Sequence, residues 1–316
     1  MKIGMFGLGK MGANMALRLM RGGHEVSGWS RSQSTVDEAI ADGVEPATND
    51  LEEAVARLDT PRVLWLMIPA GLPVDAMIDR LLPLTNEGDI IIDGGNSRYS
   101  DTLRRTERLA AAGYHLVDVG TSGGVWGLDE GYSLMIGGEE DVIEKLRPLF
   151  ETLAPDPEKG WGHMGPTGSG HFVKMVHNGI EYGMMQAYAE GFALMKRKTQ
   201  FNLDLHQIAE AWRFGSVVRS WLLDLIAEGL AGEGQELTAI APWVHDSGEG
   251  RWTVEEAIDT ATNLPVISMA LMQRFASRDE DQYANKLLAV MRNQFGGHAV
   301  KAAEKREEES GDGEGD

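Results

Sequence analysis

The sequence predicts an N-terminal α/β domain built on a doubly wound parallel sheet, followed by an all-α C-terminal domain. Short apolar runs alternate with helical patterns through the first half of the chain, which is typical of a parallel sheet with crossover helices. The first strand runs into a glycine-rich turn that opens a helix. After about residue 161, long helical patterns dominate. We therefore expect the sheet domain over residues 1–164 and the helical domain over residues 165–300.

The predicted strands are short, and the third and fourth are apolar almost throughout, as expected for strands covered on both faces. In chain order they are Lys2–Phe6, His24–Trp29, Arg62–Ile68, Asp89–Asp93, Leu116–Val119 and Tyr132–Ile136. Apolar residues at helical spacing predict the intervening helices Met11–Met20, Ser34–Ala41, Val74–Leu82, Asp101–Ala112 and Glu140–Leu153. We expect right-handed crossovers between the strands.

The second half of the chain begins with a turn-rich segment at Gly165–Gly170. Apolar periodicity then predicts the helices His171–Lys198, Leu205–Phe214, Trp221–Gly229, Val254–Leu264 and Pro265–Phe275. The last segment, Lys301–Asp316, is highly charged and has too few apolar residues to form a core. We expect it to be a disordered acidic tail.

The composition is that of a folded protein, with 316 residues, 42% hydrophobic and 25% charged. The net charge of -20 disfavours nucleic acid and anionic membranes as partners. This acidity is either an adaptation to high salt or that of an ordinary acidic protein with an acidic tail. We favour the first because acidic residues are spread along the whole chain.

Several kinds of site and location are excluded by what the sequence lacks. It has no cysteine, which excludes disulfides, thiolate metal sites and cysteine nucleophiles. It shows no metal-ligand cluster, so we expect no metal cofactor. It has neither a run of about 18 apolar residues nor a leader pattern. We therefore expect a cytoplasmic protein without a membrane span.

The turn after the first strand reads Gly7-Leu8-Gly9-Lys10-Met11-Gly12. A G-x-G-x-x-G turn between a strand and a helix is typical of Rossmann-type dinucleotide binding, with the pyrophosphate at the helix N-terminus. The alternative is a glycine-rich turn without a ligand. We expect all six residues of the turn to contact a nicotinamide cofactor, together with Met67, Ile68 and Asn96.

The end of the second strand, Trp29-Ser30-Arg31-Ser32, bears on which nicotinamide cofactor binds. An acid at this point would bind the ribose 2′-hydroxyl of NAD, and this chain has none. Ser30, Arg31 and Ser32 could hold the 2′-phosphate of NADP, with Arg31 bidentate. However, no second basic residue follows closely, and Arg31 could instead stack on the adenine.

The segment from His171 carries the side chains most suited to catalysis. Lys174, His177, Asn178 and Glu181 fall at helical spacing and share one helix face. A solvated face with a Lys–Glu pair is the alternative. The following turns are rich in Met and small residues, which favours a buried neighbourhood.

Two polar segments follow strands of the predicted sheet, where open α/β sheets bind ligands. One is Asp93–Ser97, and the other is Thr121–Gly124, whose glycines suit backbone N–H groups that face a carboxylate. Ordinary left-handed turns are the alternative for both segments.

Together these motifs resemble decarboxylating 6-phosphogluconate dehydrogenases, and the length resembles their short form. The string from Gly170 to Tyr182, which contains Lys-Met-Val-His-Asn-Gly-Ile-Glu-Tyr, is the most specific part of the resemblance. It implies oxidative decarboxylation of 6-phosphogluconate to ribulose 5-phosphate, a step of the pentose phosphate pathway. Lys174 would be the general base, which needs a lowered pKa. Glu181 would be the acid that protonates the enediol.

The resemblance also implies how the substrate is held. It assigns the carboxylate to Ser122, Gly123 and Gly124, and the hydroxyls to Asn96, His177 and Asn178. It assigns the phosphate to Tyr182, Arg251, Thr253 and Arg274. Arg292 and His298 would reach into a neighbouring subunit's site, which implies a homodimer or homotetramer.

The resemblance favours NAD weakly. The NADP-linked long form has a lysine shortly after its second strand, where this chain has Thr35, and the short form is often NAD-linked. Two other functions stay open. A 3-hydroxyisobutyrate-type β-hydroxyacid dehydrogenase would oxidise without decarboxylation, and it usually has Lys-x-x-Asn-Asn where this chain has Lys174 to Asn178. A dinucleotide-sensing regulatory protein would bind cofactor without turnover.

Overall fold

The computed structural model describes residues 1–296 and residue 301. Within them, eight strands form one sheet in the order β3-β2-β1-β4-β5-β6-β7-β8. The strands are β1 Lys2–Phe6, β2 Glu25–Trp29, β3 Ala47–Thr48, β4 Val63–Leu66, β5 Ile90–Asp93, β6 His115–Ser122, β7 Ser133–Gly137 and β8 Trp161–Gly165. All neighbours are parallel except β6 and β7. The predicted doubly wound α/β fold is confirmed.

Seven helices connect and cover the strands, and six follow the sheet. The first seven are α1 Lys10–Arg21, α2 Gln33–Ala41, α3 Leu51–Ala56, α4 Leu72–Leu81, α5 Tyr99–Ala111, α6 Gly127–Glu130 and α7 Glu140–Leu153. The others in the described residues are α8 Ser169–Arg197, α9 Leu205–Arg213, α10 Trp221–Glu233, α11 Glu249–Asp259, α12 Pro265–Ala276 and α13 Tyr283–Gly296. An all-α segment after the sheet is thus confirmed. None of these helices combines the length and apolar character of a membrane span.

The core lies on both faces of the sheet, which explains the near-continuous apolar strands. On β4, Trp65 packs with α1 and α7 on one face. Leu64 and Leu66 pack with α3, α4 and α5 on the other face. Because both faces are covered, successive residues of this strand are all buried.

Most predicted element boundaries lie within four residues of the observed ones, one helix differs by more, and some elements were not predicted. The helix predicted at Val254–Leu264 is α11, and it begins and ends five residues earlier, because Asp246 accepts the N–H of Gly248 at 3.2 Å and Ala261 takes a left-handed φ of 52°. The edge strand β8 was not predicted because its residues are only half-buried. The short elements β3 and α3, and the helix α13, were also not predicted.

Candidate active site

The turn Gly7–Gly12 lies between β1 and α1, against the end of β4. Gly7 has a φ of 110°, and a Cβ there would stand 2.9 Å from Ile68 Cγ2. A Cβ on Gly12 would stand 3.1 Å from the carbonyl carbon of Gly7 and 3.1 Å from Met67 Cβ. Neither position has room for a side chain, so the turn requires both glycines.

The same turn leaves space where a pyrophosphate would bind. A Cβ on Gly9 would meet nothing within 4 Å, and Gly9 caps α1 without a side-chain hydrogen bond. The first N–H groups of α1, at Lys10 and Met11, have no partner within the helix and carry the positive end of the helix dipole. Leu8 is buried in the core, which anchors the turn. These residues fit a dinucleotide cofactor.

The segment after β2 gives little support for a 2′-phosphate. Ser32 begins α2 as its N-cap, with its Oγ accepting the N–H of Thr35 at 3.4 Å and lying 2.7 Å from the Thr35 hydroxyl. Arg31 is exposed. Of the three residues considered for the phosphate, Ser32 therefore already has a structural role.

Helix α8 is fixed to the sheet at its first turn by Asp118, a residue that the sequence analysis did not single out. This fully buried carboxylate on β6 accepts the N–H of Gly168 at 2.6 Å and that of His171 at 2.7 Å. The His171 ring is also buried, with Nδ1 2.7 Å from the hydroxyl of Thr102. The start of α8 is thus held to both β6 and α5. The only sequence signal was an acid inside an apolar strand.

Lys174 lies one turn further along α8, directly over the sheet. A Cβ on Gly120 of β6 would stand 2.9 Å from Lys174 Cγ, so the missing side chain makes room for the lysine. The Lys174 side chain is buried, and its Nζ donates to Asn178 Oδ1 at 2.6 Å. Burial lowers the pKa of Lys174, while the negative charges of Glu249 and Glu181 oppose that shift. This direction is the one that the role of general base would require.

The structure brings together the face predicted on α8. His177 Nδ1 lies 2.9 Å from the same Asn178 oxygen, and Glu181 is half-buried on the next turn. The amide nitrogen of Asn178 donates to Glu249 at the start of α11. Glu249 was missed by the sequence analysis because only the crossing of two distant helices places it here.

A cleft of about 700 Å³ lies between the turn after β6, α8 and α10. Of the four predicted residues on α8, His177 and Glu181 line this cleft, whereas Lys174 and Asn178 do not. Ser122, Gly123 and Gly124 line it opposite His177 and Glu181. Both glycines have positive φ, 131° and 54°, so the turn requires residues that tolerate this conformation.

Asn96 links the two predicted ligand-binding segments. Its Oδ1 accepts the N–H of Thr121 at 2.8 Å, and its Nδ2 donates to the Thr121 carbonyl at 3.2 Å. The residues on either side of it are fixed by Asp93, a buried carboxylate that accepts from the Gly95 N–H at 3.1 Å and from Ser97 at 2.8 Å and pairs with Arg105 at 3.2 Å. Asp93 therefore has a structural role at this edge of the sheet.

Three arginines lie beyond the lysine, around Tyr182. The guanidinium of Arg274 stacks 3.5 Å from the centre of the Tyr182 ring. Arg251 and Arg278 both pair with Asp246, at 2.9 Å and 2.7 Å. Hydrogen bonds from Arg251, and then from Arg278, hold the pKa of Asp246 well below its usual range. Arg278 was not predicted, and it lies in the turn just after the end of α12.

The structure does not place the remaining predicted site residues at the cleft. Thr253 is buried, and its hydroxyl donates to the carbonyls of Met175 at 2.9 Å and Glu249 at 2.8 Å, so it packs α11 on α8. Arg292 is exposed on α13 and is not among the residues lining the cleft. His298, and the predicted tail except Lys301, lie outside the described residues. In the described part of the chain no group of three or more His, Asp or Glu side chains could hold a metal.

Comparison with known families agrees with this geometry over nearly the whole chain. Residues 2–165 match the model of the NAD binding domain of 6-phosphogluconate dehydrogenase. Residues 170–310 match the model of the 6-phosphogluconate dehydrogenase C-terminal domain. The chain belongs to the 6-phosphogluconate dehydrogenase family.

Two curated members of the family match over almost their full length. A putative 6-phosphogluconate dehydrogenase, YqeC of Bacillus subtilis, is 45% identical, with 95% of this chain and 99% of the relative covered. An NAD(+)-dependent, decarboxylating 6-phosphogluconate dehydrogenase of Haloferax volcanii is 42% identical, with 95% and 98% covered. The family resemblance inferred from the motifs is therefore confirmed.

Solved structures agree on the fold. The 6-phosphogluconate dehydrogenase of Plasmodium falciparum superposes with a TM-score of 0.82 at 28% identity, covering 96% of this chain and 67% of that chain. A 3-hydroxyisobutyrate dehydrogenase of Mycobacterium tuberculosis superposes with a TM-score of 0.69 at 23% identity, covering 88% and 94%. This second likeness shows a shared fold, and the family models and curated relatives favour 6-phosphogluconate dehydrogenase over the 3-hydroxyisobutyrate alternative.

Proposed function

We propose that this chain catalyses the NAD(P)-dependent oxidative decarboxylation of 6-phosphogluconate to ribulose 5-phosphate and CO2. The observation that carries the proposal is the buried Lys174, whose ammonium is destabilised by burial beside Asn178, His177 and Glu181. A lysine with a lowered pKa next to a ligand cleft suits proton abstraction. Membership of the family supplies the substrate class.

In the first step, neutral Lys174 takes the proton of the C3 hydroxyl while C3 gives up its hydride. The bound nicotinamide supplies the hydride acceptor. Lys174, now protonated, donates a hydrogen bond to the new C3 carbonyl oxygen. Asn178 accepts from the Lys174 Nζ at 2.6 Å and so holds the amino group in a defined position on α8.

The second and third steps need no further cofactor chemistry. The resulting 3-keto acid loses its C1 carboxylate as CO2, and the electrons of the broken bond pass to the carbonyl that protonated Lys174 polarises. Glu181 then donates a proton to the carbon that lost CO2, which yields ribulose 5-phosphate. Glu181 lines the cleft one turn beyond His177, on the same helix face as Lys174.

Substrate binding is proposed to use the two ends of this site. The carboxylate would lie at Ser122, Gly123 and Gly124, and the hydroxyls at Asn96, His177 and Asn178. The phosphate would lie at Tyr182, Arg251 and Arg274. Arg274 stacked on Tyr182 and Arg251 close by give an acidic protein a local cationic site.

We infer that NAD is the preferred cofactor. Ser32 is engaged in capping α2, which leaves Ser30 and Arg31 to contact a 2′-phosphate. The Haloferax relative, at 42% identity, carries NAD(+) dependence in its name. Met67 and Ile68, beside Gly7, would contact the cofactor from the end of β4.

We further propose a cytoplasmic homodimer or homotetramer, with the division at residues 1–164 and 165–300 and with Arg292 and His298 reaching a neighbouring site. Large apolar side chains are exposed in the segment after the sheet, among them Val217, Ile258, Val266 and Met269. Such surfaces are typical of protein interfaces. We also propose that the net charge of -20 is an adaptation to high salt.

The proposed reaction is tested by initial rates on 6-phosphogluconate with NAD and NADP in parallel, at low and high salt. Reduced cofactor and released CO2 are measured together. Equal amounts of both products are expected. Oxidation of 3-hydroxyisobutyrate with no CO2 from 6-phosphogluconate would support the β-hydroxyacid alternative, and cofactor binding without turnover of either substrate would support a regulatory protein.

A further inference from the structure

Glu249 is an acidic residue buried where two helices cross beside the lysine. Its side chain lies at the first position of α11, and the residue is 7% exposed. Burying a carboxylate away from water costs free energy unless hydrogen bonds or an opposite charge compensate it. Burial raises the pKa of Glu249, while the positive charge of Lys174 opposes that shift.

The crossing of α8 and α11 fixes Glu249 in place. A Cβ on Gly179 of α8 would stand 2.7 Å from Thr253 Cγ2, so this glycine allows the two helices to approach closely. The Thr253 hydroxyl donates to the backbone carbonyl of Glu249 at 2.8 Å and to that of Met175 on α8 at 2.9 Å. The backbone of Glu249 therefore has a defined position relative to α8.

The carboxylate accepts two hydrogen bonds. One comes from Nδ2 of Asn178, and the other from the hydroxyl of Ser247 at 3.3 Å. The N–H of Ser247 donates in turn to the Tyr182 hydroxyl at 3.1 Å, which links the carboxylate to the arginine cluster. Glu249 thus lies between the two ends of the proposed site.

The contact with Asn178 determines how that amide is oriented. A carboxylate only accepts hydrogen bonds, so it must face the NH2 group of the amide. The amide oxygen is then directed to Lys174 Nζ and His177 Nδ1, at 2.6 Å and 2.9 Å. With the opposite orientation, two donors would face each other at Lys174.

We propose that Glu249 is a positioning residue that orients the Asn178 amide and holds a negative charge beside Lys174. The inference rests on the proposed function, in which Lys174 exchanges a proton with the substrate. The carboxylate acts through Asn178 and through its charge. The charge favours the protonated form of Lys174 that must exist after the hydroxyl proton has been taken.

Other ionisable groups surround this pair and must be considered in any pH measurement. On the elements packed around it they are His177, Glu181 and Tyr182 on α8, Asp118 on β6, Asp246 and Arg251 at the start of α11, and Arg274 on α12. Glu181 acts on Lys174 in the same direction as Glu249. Variants at position 249 therefore separate the effect of Glu249 on the pKa of Lys174 from the effect of Glu181.

The test measures Lys174 directly in the protein without substrate. Lysine is labelled with 13C at Cε, and the Lys174 signal is identified by its loss in Lys174→Arg. In Glu249→Gln, which removes the charge at nearly constant volume, Lys174 should titrate about one pH unit lower than in the unchanged chain. The acid limb of kcat/KM should move the same way. Glu255→Gln, an exposed acid on the same helix paired with Arg98, should move neither.

A second variant tests the orienting role and also serves if Glu249→Gln does not fold. Glu249→Asp keeps the charge but is one methylene shorter, so it should lose the contact with Asn178 and lower kcat about tenfold or more. The same Lys174 titration in Glu249→Gln and in the unchanged chain, or unchanged kcat in Glu249→Asp, would overturn the inference. Failure of the proposed function would differ, since the unchanged chain would then release no CO2.

Discussion

Replacing Gly120 by alanine should lower turnover about 100-fold while leaving cofactor affinity nearly unchanged. The added Cβ would stand 2.9 Å from Lys174 Cγ and 3.0 Å from the Gly170 carbonyl oxygen. Ordinary carbon contacts are about 3.5–4.0 Å, so the lysine stem and the start of α8 must move by close to 1 Å. A displacement of about 1 Å in a catalytic group costs about 10²-fold in rate. The cofactor turn at Gly7–Gly12 follows β1, which lies three strands away from β6 in the sheet, so it should be unaffected.

The assay measures kcat and KM on 6-phosphogluconate, the dissociation constant of the cofactor, and the melting temperature. Overpacking of this kind destabilises by about 1–3 kcal/mol, so the variant should still fold. Gly191→Ala is the matched control. Gly191 lies on α8, the helix that carries Lys174, and a Cβ there would meet nothing within 4 Å. If folded Gly120→Ala kept a near-normal kcat, the close fit between β6 and Lys174 would have no catalytic importance.

Four further predictions concern the same reaction. Lys174→Ala should lower kcat about 10²–10⁴-fold with cofactor affinity nearly intact, and a near-normal rate would contradict the base assignment. Since the base acts when neutral and burial lowers its pKa, kcat/KM should rise with pH along a limb below the ordinary lysine range; a limb at or above that range would argue against burial. Deletion from Arg292 onward should raise KM strongly whereas deletion of Lys301–Asp316 alone should do little, and equal KM values in the two deletions would refute the shared site. Activity should increase with salt, and a maximum at low salt would favour an ordinary acidic protein.

Much of the sheet domain could be predicted because its signals are local. A strand buried on both faces must be apolar throughout, as at Val63–Leu66, and a G-x-G-x-x-G turn has few other uses between strand and helix. Strand β8 gave no such signal because a half-exposed edge strand is held by pairing with β7. The position of α11 was wrong because the hydrogen bond from the Gly248 N–H to Asp246 and the left-handed Ala261, rather than apolar spacing, set its ends.

The candidate site also has parts that local sequence signals predict and parts that they do not. Helical spacing alone places Lys174, His177, Asn178 and Glu181 on one face, and the structure confirms that arrangement. Asp118 and Glu249 could not be predicted, since each lies more than 50 positions from its partner on α8. Their roles arise from where the strand or helix that carries them crosses α8.

The proposed reaction requires Lys174 to accept a proton first and then, in its protonated form, to donate a hydrogen bond to the keto oxygen. A lysine in water holds its proton too firmly to do the first, and a fully desolvated lysine without counter-charge would hold it too weakly to do the second. In this site burial lowers the pKa of Lys174 while Glu249 and Glu181 limit the decrease. Burial thus favours the neutral base of the first step, and the two negative charges favour the protonated form of the second. Two acids beside a buried base are therefore consistent with one residue serving both steps.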